Sequence, residues 1–358
     1  MIMLTIIADE NIANIDDYLG HHQANIIKMH GRDITGGLVK AHQADALFVR
    51  SVTPINAHTF GDLSKTSLKF VGSATIGTDH IDQAFLAKHH ISFANAAGCS
   101  KHSVAQYVIS SILHLRPNAR HQAIKLGIIG LGNIGQTLAI YAKKFGWQVI
   151  GYDPHLPIDA INQHDFDALL SDSDVVSIHT PLVKDGDYPT FGLFDKQTLA
   201  KLNPAALLIN TARGEIIDEQ ALLDDIAHTK RQVVLDVFPS EPVISDALMR
   251  AITLATPHIA GYTLEGKLRG TDMIYQAFCT HFGLTVSQNL HSLLPDNAHH
   301  FDEFYRLSGD DVAHAIASYY PIDADHQRLS LVNHHGVLGD DFDKLRKTYP
   351  LRREWLSE

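Results

Sequence analysis

The chain has 358 residues, of which 45% are hydrophobic and 19% are charged, so it is long enough for two or three domains and is not a disordered protein. Its formal net charge of −11 argues against non-specific binding to nucleic acid or to an anionic membrane. No apolar run approaches the length of a membrane span. Residues 1–9 lack the basic start and the cleavage site of a signal peptide, and two distant cysteines form no disulfide framework. We therefore expect a cytoplasmic protein.

The first part of the chain has the order of a βαβ fold. Strands are predicted at 4–9, 44–50 and 68–72, separated by stretches that are compatible with helices, and residues 91–95 end the unit. This order predicts an open parallel sheet. A helix follows over about 100–114.

A glycine signature between a strand and a helix is the most informative segment. The short apolar strand 126–129 runs into G-L-G-N-I-G, and a helix is predicted from Gln136 to Phe145. The first glycine permits a tight turn, the second leaves room for a pyrophosphate, and the third lets the helix pack close to the strand. The helix N-terminus offers its N–H groups to the phosphates. The segment therefore predicts a dinucleotide site.

An acidic residue follows the next strand, which is predicted at 147–152. Asp153 lies about 20 residues beyond the first glycine, where a carboxylate can accept both ribose hydroxyls of an adenosine. The same charge would repel a 2′-phosphate, which favours NAD over NADP. The alternative is that the glycines only form a turn and Asp153 only begins a loop. Further strands, predicted at 174–179, 205–210, 232–236 and 252–255, complete a second α/β unit.

Three short motifs each follow a strand of this second unit, at the edge where open α/β sheets bind ligands. Arg213, followed by a glycine, can present its guanidinium to a carboxylate or to a developing oxyanion. Asp236 ends a strand, and Glu241 lies beyond it in a proline-bounded loop. His258 follows a proline at the end of another strand. Taken singly, each of these residues is more often structural than catalytic.

Taken together, the three motifs supply a mechanism. Hydride removal from an alcohol needs a base for the hydroxyl proton, and histidine has a suitable pKa. A carboxylate on the other ring nitrogen fixes the tautomer, and an arginine binds the substrate carboxylate. Arg213, Glu241 and His258 therefore predict an NAD-dependent dehydrogenase that acts on a 2-hydroxy acid.

The motif order G-x-G-x-x-G, N-T-A-R-G-E-I-I-D, L-D-V-F-x-x-E-P and T-P-H-I-A-G-Y-T resembles the D-2-hydroxyacid dehydrogenase family over about residues 45–283. The resemblance implies a Rossmann-type doubly wound parallel sheet domain, a second flavodoxin-like α/β substrate domain and a small C-terminal α+β dimerisation domain. The expected bounds are 1–99 with 263–285 for the substrate (lid) domain, 100–262 for the NAD-binding domain and 286–358 for the C-terminal domain.

The resemblance also implies roles for individual residues. Arg213, Glu241 and His258 would be catalytic, with His258 as the proton donor and acceptor. Ser51, Thr75 and Tyr262 would contact the substrate. The residues expected to line the NAD site are Gly130, Gly132, Asn133, Ile134, Gly135, Asp153, Thr180, Thr211, Ala212, Arg213, Asp236 and Gly261.

A phosphorylated substrate would need more positive charge than a simple hydroxy acid. Arg50, Lys267 and Arg269 are available for it, although each could instead be solvated or salt-bridged. One alternative is a sister dehydrogenase that acts on glycerate or 3-phosphoglycerate, which the catalytic trio does not separate. Another is a non-catalytic NAD-binding regulator, which the intact trio disfavours. We expect a homodimer with a small-molecule substrate and without nucleic-acid or membrane partners.

Histidine is abundant, with 24 residues. Adjacent pairs such as His21-His22 point in different directions on a helix or a strand. Since no H-E-x-x-H motif or Cys/His ligand spacing is present, we expect no metal site.

Overall fold

The computed structural model describes residues 3–120, 124–163, 165–297, 314–315 and 319–355. The chain divides into two compact units. The first unit contains residues 1–100 and 263–296, and the second contains residues 101–262 and 297–358.

Eleven strands and fourteen helices are named here in chain order. The strands are β1 Leu4–Asp9, β2 Ala24–Met29, β3 Ala46–Val49, β4 Phe70–Ser73, β5 Ser92–Asn95, β6 Lys125–Ile129, β7 Gln148–Tyr152, β8 Val175–Ile178, β9 Leu207–Asn210, β10 Val233–Leu235 and β11 Leu254–Ala255. The helices are α1 Ile15–Leu19, α2 Gly36–His42, α3 Ala57–Phe60, α4 Gln83–Lys88, α5 Lys101–Leu115, α6 Asn133–Lys144, α7 Phe166–Asp172, α8 Lys196–Lys201, α9 Glu219–Thr229, α10 Asp246–Ala251, α11 Leu264–Phe282, α12 Leu290–Leu293, α13 Ile322–Leu331 and α14 Gly339–Lys347.

The first unit is built on a five-stranded parallel sheet in the order β2-β1-β3-β4-β5. This is the flavodoxin-like order, and it confirms the predicted class of the substrate domain. Successive side chains on a strand face opposite sides of the sheet, so Phe48 packs with Phe278 of α11, whereas Leu47 packs with Phe60 and Phe85 on the other side. Both faces are covered by helices, as a parallel sheet requires.

Strand β2 lies in the stretch between 9 and 44, where the sequence pattern was described as compatible with helices and no strand was predicted. It pairs with β1 alone, in a register that places Leu4 beside Ala24. Because it lies at the edge of the sheet, its side chains are mostly half-buried. The sequence A-N-I-I-K-M consequently lacks the strict apolar alternation that identifies a strand.

The second unit is built on a six-stranded parallel sheet in the order β11-β10-β9-β8-β6-β7. A single parallel bridge between Gly151 and Asn162 stands beyond β7, where a Rossmann sheet has a further strand. All six predicted strands are present, and the Rossmann-type prediction is confirmed. The chain reverses direction across the sheet between β6 and β8, and ligands bind at such switch points.

The segment 319–355 packs into the second unit. Trp355 is buried in the same core as Tyr107 of α5, and the Ser103 hydroxyl donates to Glu354 at 2.8 Å. The described part of 286–358 contains helices and the isolated bridge Ile244–Val337, and Arg352 also lies in a bridge. The strands expected of an α+β domain therefore stay a prediction, because residues 298–313 and 316–318 lie outside the described residues.

Among the helices that the structure describes, none combines the length and apolarity needed to cross a lipid bilayer.

Candidate active site

The glycine turn follows β6 and leads into α6. Gly130 has φ +89°, and a Cβ atom there would lie within 2.9 Å of the backbone at residues 179–180. A Cβ atom on Gly135 would lie 2.0 Å from the Gly130 carbonyl oxygen, so the helix can approach the turn only without a side chain. Around Gly132, no atom of the described residues other than those of its chain neighbours lies within 4 Å of such a Cβ position. The turn is therefore tight at its first and third glycines and open at its second.

Helix α6 starts at Asn133, earlier than the predicted Gln136, so Asn133 and Ile134 belong to its first turn. The free N–H groups of that turn lie directly after the open glycine, and this arrangement suits a phosphate. Asp153 is placed beside the same turn, because its Oδ2 accepts a hydrogen bond from the Leu131 N–H at 3.0 Å.

An orphaned hydroxyl lies next to this turn. Oγ1 of Thr180 is buried and has no hydrogen-bond partner among the described residues. A buried polar atom without a partner is costly, so a bound molecule that supplied one would be favoured. The open Gly132, the Asp153 carboxylate and this hydroxyl together fit a dinucleotide.

His179 follows β8 directly and packs against the glycine turn at Gly130, although no role was predicted for it from the sequence. Its Nε2 hydrogen-bonds with Ser177 Oγ at 2.8 Å, and its Nδ1 lies 3.4 Å from Thr211 Oγ1. Burial lowers the pKa of His179 to about 3, so the ring is neutral at physiological pH. The ring thus links the end of β8 to the residue that follows β9, which is the neighbouring strand in the sheet.

Arg213 begins a short turn after β9, beyond Thr211 and Ala212. The Asn210 side chain holds this turn: its Nδ2 donates to the Arg213 carbonyl at 2.8 Å, and its Oδ1 accepts from the Ala212 N–H at 3.0 Å. A Cβ atom on Gly214 would lie 1.9 Å from the Phe238 carbonyl carbon. The glycine therefore allows the Arg213 turn to pack directly on the loop that carries Glu241.

Glu241 and His258 form a hydrogen-bonded pair. Nδ1 of His258 donates to Oε2 of Glu241 at 2.8 Å, and Oε1 of Glu241 accepts from the Phe238 N–H at 2.8 Å. The side chains are 33% and 22% exposed for His258 and Glu241, so the imidazole remains accessible to a substrate. The pair has the geometry of a general base with its orienting carboxylate.

The carboxylate of this pair is held in its ionised form. Burial by itself would raise the pKa of Glu241. The charge and hydrogen bond of His258, the Phe238 N–H and the charge of Arg346 outweigh burial, and the pKa lies below its usual value.

The loop that carries His258 is anchored by Asp236. The Asp236 carboxylate is buried and accepts hydrogen bonds from the Thr256 hydroxyl at 2.6 Å, the Ile259 N–H at 2.8 Å and the Ala260 N–H at 2.9 Å. Burial raises the pKa of Asp236 to about 6, against these hydrogen bonds and the charge of His258. The expected NAD contact of Asp236 stays a prediction beside this anchoring role, as does that of Gly261.

Helix α14 places a second residue that the sequence reasoning missed. The Arg346 guanidinium carbon lies 5.7 Å from the ring centroid of Tyr262 and 5.8 Å from that of Phe342. Burial opposes its charge, but Tyr262 and Glu241 outweigh burial and raise the pKa of Arg346. An arginine in the last turn of a polar helix carries no sequence signal for this contact.

The remaining predicted substrate residues belong to the first unit. Ser51 follows β3 and is exposed, and Thr75 follows β4, with its hydroxyl donating to the Gly77 carbonyl at 3.0 Å. Arg269 donates to the Cys99 carbonyl at 2.5 Å and is thus engaged within this unit. In the second unit, the structure joins Glu241 to His258, anchors the His258 loop on Asp236, and packs the turn after Arg213 against the loop that carries Glu241. Among the described residues, no group of three or more potential metal ligands is present.

Comparison with known proteins gives consistent results. Residues 103–260 match the family model for the NAD binding domain of D-isomer specific 2-hydroxyacid dehydrogenases. The chain is 47% identical to the erythronate-4-phosphate dehydrogenase of Psychrobacter cryohalolentis, over 99% of this chain and 98% of that protein. It is 46% identical to the erythronate-4-phosphate dehydrogenase of Acinetobacter baumannii strain AYE, with the same coverage.

Solved structures share the fold. NAD⁺-bound 3-phosphoglycerate dehydrogenase from Entamoeba histolytica superposes with a TM-score of 0.66 at 23% identity, covering 80% of this chain and 98% of that one. D-lactate dehydrogenase from Aquifex aeolicus, in complex with NAD and lactic acid, gives a TM-score of 0.64 at 23% identity and covers 78% and 96%. About a fifth of this chain therefore has no counterpart in these structures.

Proposed function

This chain belongs to the erythronate-4-phosphate dehydrogenases, a branch of the D-isomer specific 2-hydroxyacid dehydrogenase family, and from that premise we propose that it oxidises 4-phospho-D-erythronate at the C2 hydroxyl. The product is 2-oxo-3-hydroxy-4-phosphobutanoate, and the reaction belongs to the synthesis of pyridoxal 5′-phosphate. NAD, when bound, accepts the hydride from C2.

The observation that carries this proposal is the 2.8 Å hydrogen bond between Glu241 and His258. Because Nδ1 is engaged with the carboxylate, Nε2 is the ring nitrogen that takes the proton of the C2 hydroxyl. The ionised Glu241 fixes the tautomer and stabilises the imidazolium that forms. His258 then returns its proton to solvent after the oxo acid has left.

Arg213 orients the substrate in this proposal. Its guanidinium clamps the carboxylate and the nascent carbonyl, and a planar fork of donors suits both oxygens. Ser51, Thr75 and Tyr262 are proposed substrate contacts, and backbone N–H groups of residues 75–77 support the carboxylate. A phosphorylated substrate is consistent with Arg50, which follows β3 at the carboxyl edge of the first sheet.

The cofactor preference follows from Asp153. Its carboxylate lies beside the glycine turn at the end of β7, where it would accept the ribose hydroxyls and repel a 2′-phosphate. The orphaned Thr180 hydroxyl and the open space at Gly132 support binding at the same place.

The test is NADH formation by the purified protein with 4-phospho-D-erythronate, D-glycerate and 3-phospho-D-glycerate, with a 2-oxo acid present to turn over tightly held cofactor. We expect selective turnover of 4-phospho-D-erythronate. Turnover of another hydroxy acid alone would keep the mechanism and overturn the substrate. No turnover of any of them, with NAD binding intact, would favour a regulator.

The relatives' names do not favour the sister dehydrogenases, since those at 46–47% identity over nearly the whole chain share one name.

We also propose the domain bounds and site roles predicted from the sequence, and a cytoplasmic location that the two buried thiols support.

A homodimer is proposed as well, and exposed apolar side chains on the second unit support it. Leu338 is 66% exposed and Val243 is 49% exposed. They lie next to the paired residues Val337 and Ile244, so they are close to each other. Apolar residues grouped in this way are typical of subunit contacts.

A further inference from the structure

The backbone of His258 has an unusual conformation. Its φ is +55°, in the left-handed region that residues other than glycine rarely adopt, and its N–H donates to the Thr256 carbonyl at 2.9 Å. A strained residue of this kind persists only when its surroundings hold it in place. The groups that hold the next two peptide units therefore decide where the imidazole lies.

Those peptide units are held on both sides. On the N–H side, the Asp236 carboxylate accepts from Ile259 and Ala260. On the carbonyl side, Arg352 donates from Nη1 to the Ile259 oxygen at 3.1 Å and from Nη2 to the Ala260 oxygen. One carboxylate and one guanidinium thus satisfy all four backbone groups that follow His258.

Arg352 is itself fixed by neighbours from the same C-terminal segment. Its guanidinium carbon lies 4.1 Å from the ring centroid of Tyr320, and Nη1 donates to the Tyr349 hydroxyl at 3.2 Å. The Tyr349 hydroxyl donates to the buried Asp325 carboxylate at 2.8 Å. Burial opposes the charge of Arg352, but Tyr320, Tyr349 and Asp325 outweigh burial and raise its pKa. The guanidinium remains charged and rigidly oriented.

We propose that Arg352 is a positioning residue for His258. Its guanidinium binds the carbonyl groups of Ile259 and Ala260 and so keeps the imidazole in hydrogen-bonding position with Glu241. This role rests on the proposed dehydrogenase function. It makes the segment 319–355 part of the catalytic apparatus, in addition to any role in subunit contact. An arginine is needed because two carbonyl oxygens on successive residues require two donors in a fixed plane.

The test compares Arg352→Lys with Arg116→Lys in the full-length protein. The control makes the same substitution at an arginine of the second unit whose guanidinium donates to one backbone carbonyl, that of Ala205 at 2.7 Å, and contacts no residue of the His258 loop among the described contacts. We expect Arg352→Lys to lower kcat on the order of 100-fold, the cost of a catalytic group displaced by about 1 Å. KM and the Kd for NAD should stay near the wild-type values, because the glycine turn is untouched.

A second measurement does not depend on turnover. The Nδ1 proton that His258 shares with Glu241 should give a downfield proton NMR signal, assigned by its loss in His258→Asn. Arg352→Lys should shift or broaden this signal, whereas Arg116→Lys should leave it unchanged. Tyr349→Phe, which removes one partner of Arg352 and keeps the ring, should have a smaller effect in the same direction and serves if Arg352→Lys does not fold.

The outcomes separate the two proposals. A wild-type protein without turnover overturns the proposed function, and the NMR comparison then still tests the role of Arg352. Wild-type kcat and an unshifted signal in folded Arg352→Lys overturn the positioning role. The positioning role is also overturned if the fall in kcat equals the fall in the number of NAD-binding sites per chain, because unfolded chains lower the apparent kcat without changing KM, and Arg352 would then only stabilise the fold.

Discussion

At the residue scale, the site separates one base from the groups that orient it. His258 is the group that exchanges a proton, and Glu241 orients its imidazole through Nδ1. Asp236 fixes the loop that carries His258 by accepting a hydrogen bond from the Ile259 N–H. Glu241 contacts the imidazole itself, whereas Asp236 contacts the backbone that carries it. The three side chains therefore respond differently to substitution.

His258→Asn should lower kcat by about 10²- to 10⁴-fold, since general base catalysis contributes that much and an amide has no basic nitrogen. Asparagine tolerates a positive φ, so the loop should keep its shape. Steady-state NADH formation measures the loss, and fluorescence titration should show unchanged NAD binding. His335→Asn is a matched control, because His335 is exposed and has φ +69°. Turnover at the wild-type rate in His258→Asn would remove His258 from the mechanism.

Asp236 gives a pH dependence of defined sign. Its folded pKa of about 6 lies above the ordinary value of 3.8, so the stability linked to its protonated form is lost as pH rises between these values. The unfolding free energy of the wild type, relative to Asp236→Asn, should therefore be about 1 kcal/mol greater at pH 5 than at pH 7.5.

Urea denaturation at the two pH values measures this difference. Asp195→Asn is the control: the Asp195 pKa is lowered, chiefly by the Thr198 N–H, so it does not titrate in this range. The prediction would be contradicted if the unfolding free energy of the wild type, relative to that of Asp236→Asn, increased as pH rises.

Which site residues could be predicted depended on where they stand in the chain. Arg213, Glu241 and His258 each follow a strand, and the parallel sheet brings such positions to one edge. Arg346 and Arg352 come from helix α14 and the segment after it, and their contacts depend on how that segment packs. No local pattern encodes such packing. His179 was missed because its role depends on burial.

At the element scale, the turn that follows Arg213 packs directly against the loop that carries Glu241. Gly214→Ala would place a methyl group 1.9 Å from the Phe238 carbonyl carbon, where rigid backbone must move. Overpacking of this kind costs about 1–3 kcal/mol of stability, and we expect kcat to fall because the two catalytic loops separate.

Thermal denaturation and steady-state kinetics check this effect. Gly37→Ala is the control, since the nearest atom to its added Cβ lies at 3.8 Å and the position is helical, so the change should be neutral or stabilising. Equal stability and kcat in Gly214→Ala and the wild type would show that the loops tolerate the displacement.

Most strands were predictable from their apolar pattern, and among the strands that the structure describes the edge strand β2 was missed. Strands that are buried on both faces have short apolar sequences, which the sequence pattern identifies. These strands are β3, β4, β6, β8, β9 and β10. Strand β2 has one neighbour, and the bridge at Asn162 stands in place of a whole strand. The apolar pattern weakens wherever one side of a strand meets solvent.

At the scale of the whole molecule, the expected homodimer is the property to measure. Light scattering at several concentrations should give twice the chain mass of 39.5 kDa. A mass equal to one chain at every concentration would contradict the dimer and leave the exposed Leu338 and Val243 without that explanation.

The predicted domain bounds stay a proposal. In the structure the second unit begins at Lys101, the first residue of α5, and its first part ends at Tyr262, just before the long helix that was predicted at 264–283. The tail has short polar segments without βαβ order, so its packing against α5 depends on a few contacts such as Ser103–Glu354.

The burial of Trp355 beside helix α5 has a consequence for how the protein is made. The Trp355 N–H donates to the Gln106 side chain at 3.2 Å, a contact between residues separated by 249 positions. A ribosome must synthesise everything between them before this contact can form. The second unit therefore completes its core late, and the nascent chain carries an exposed α5 surface during most of its synthesis.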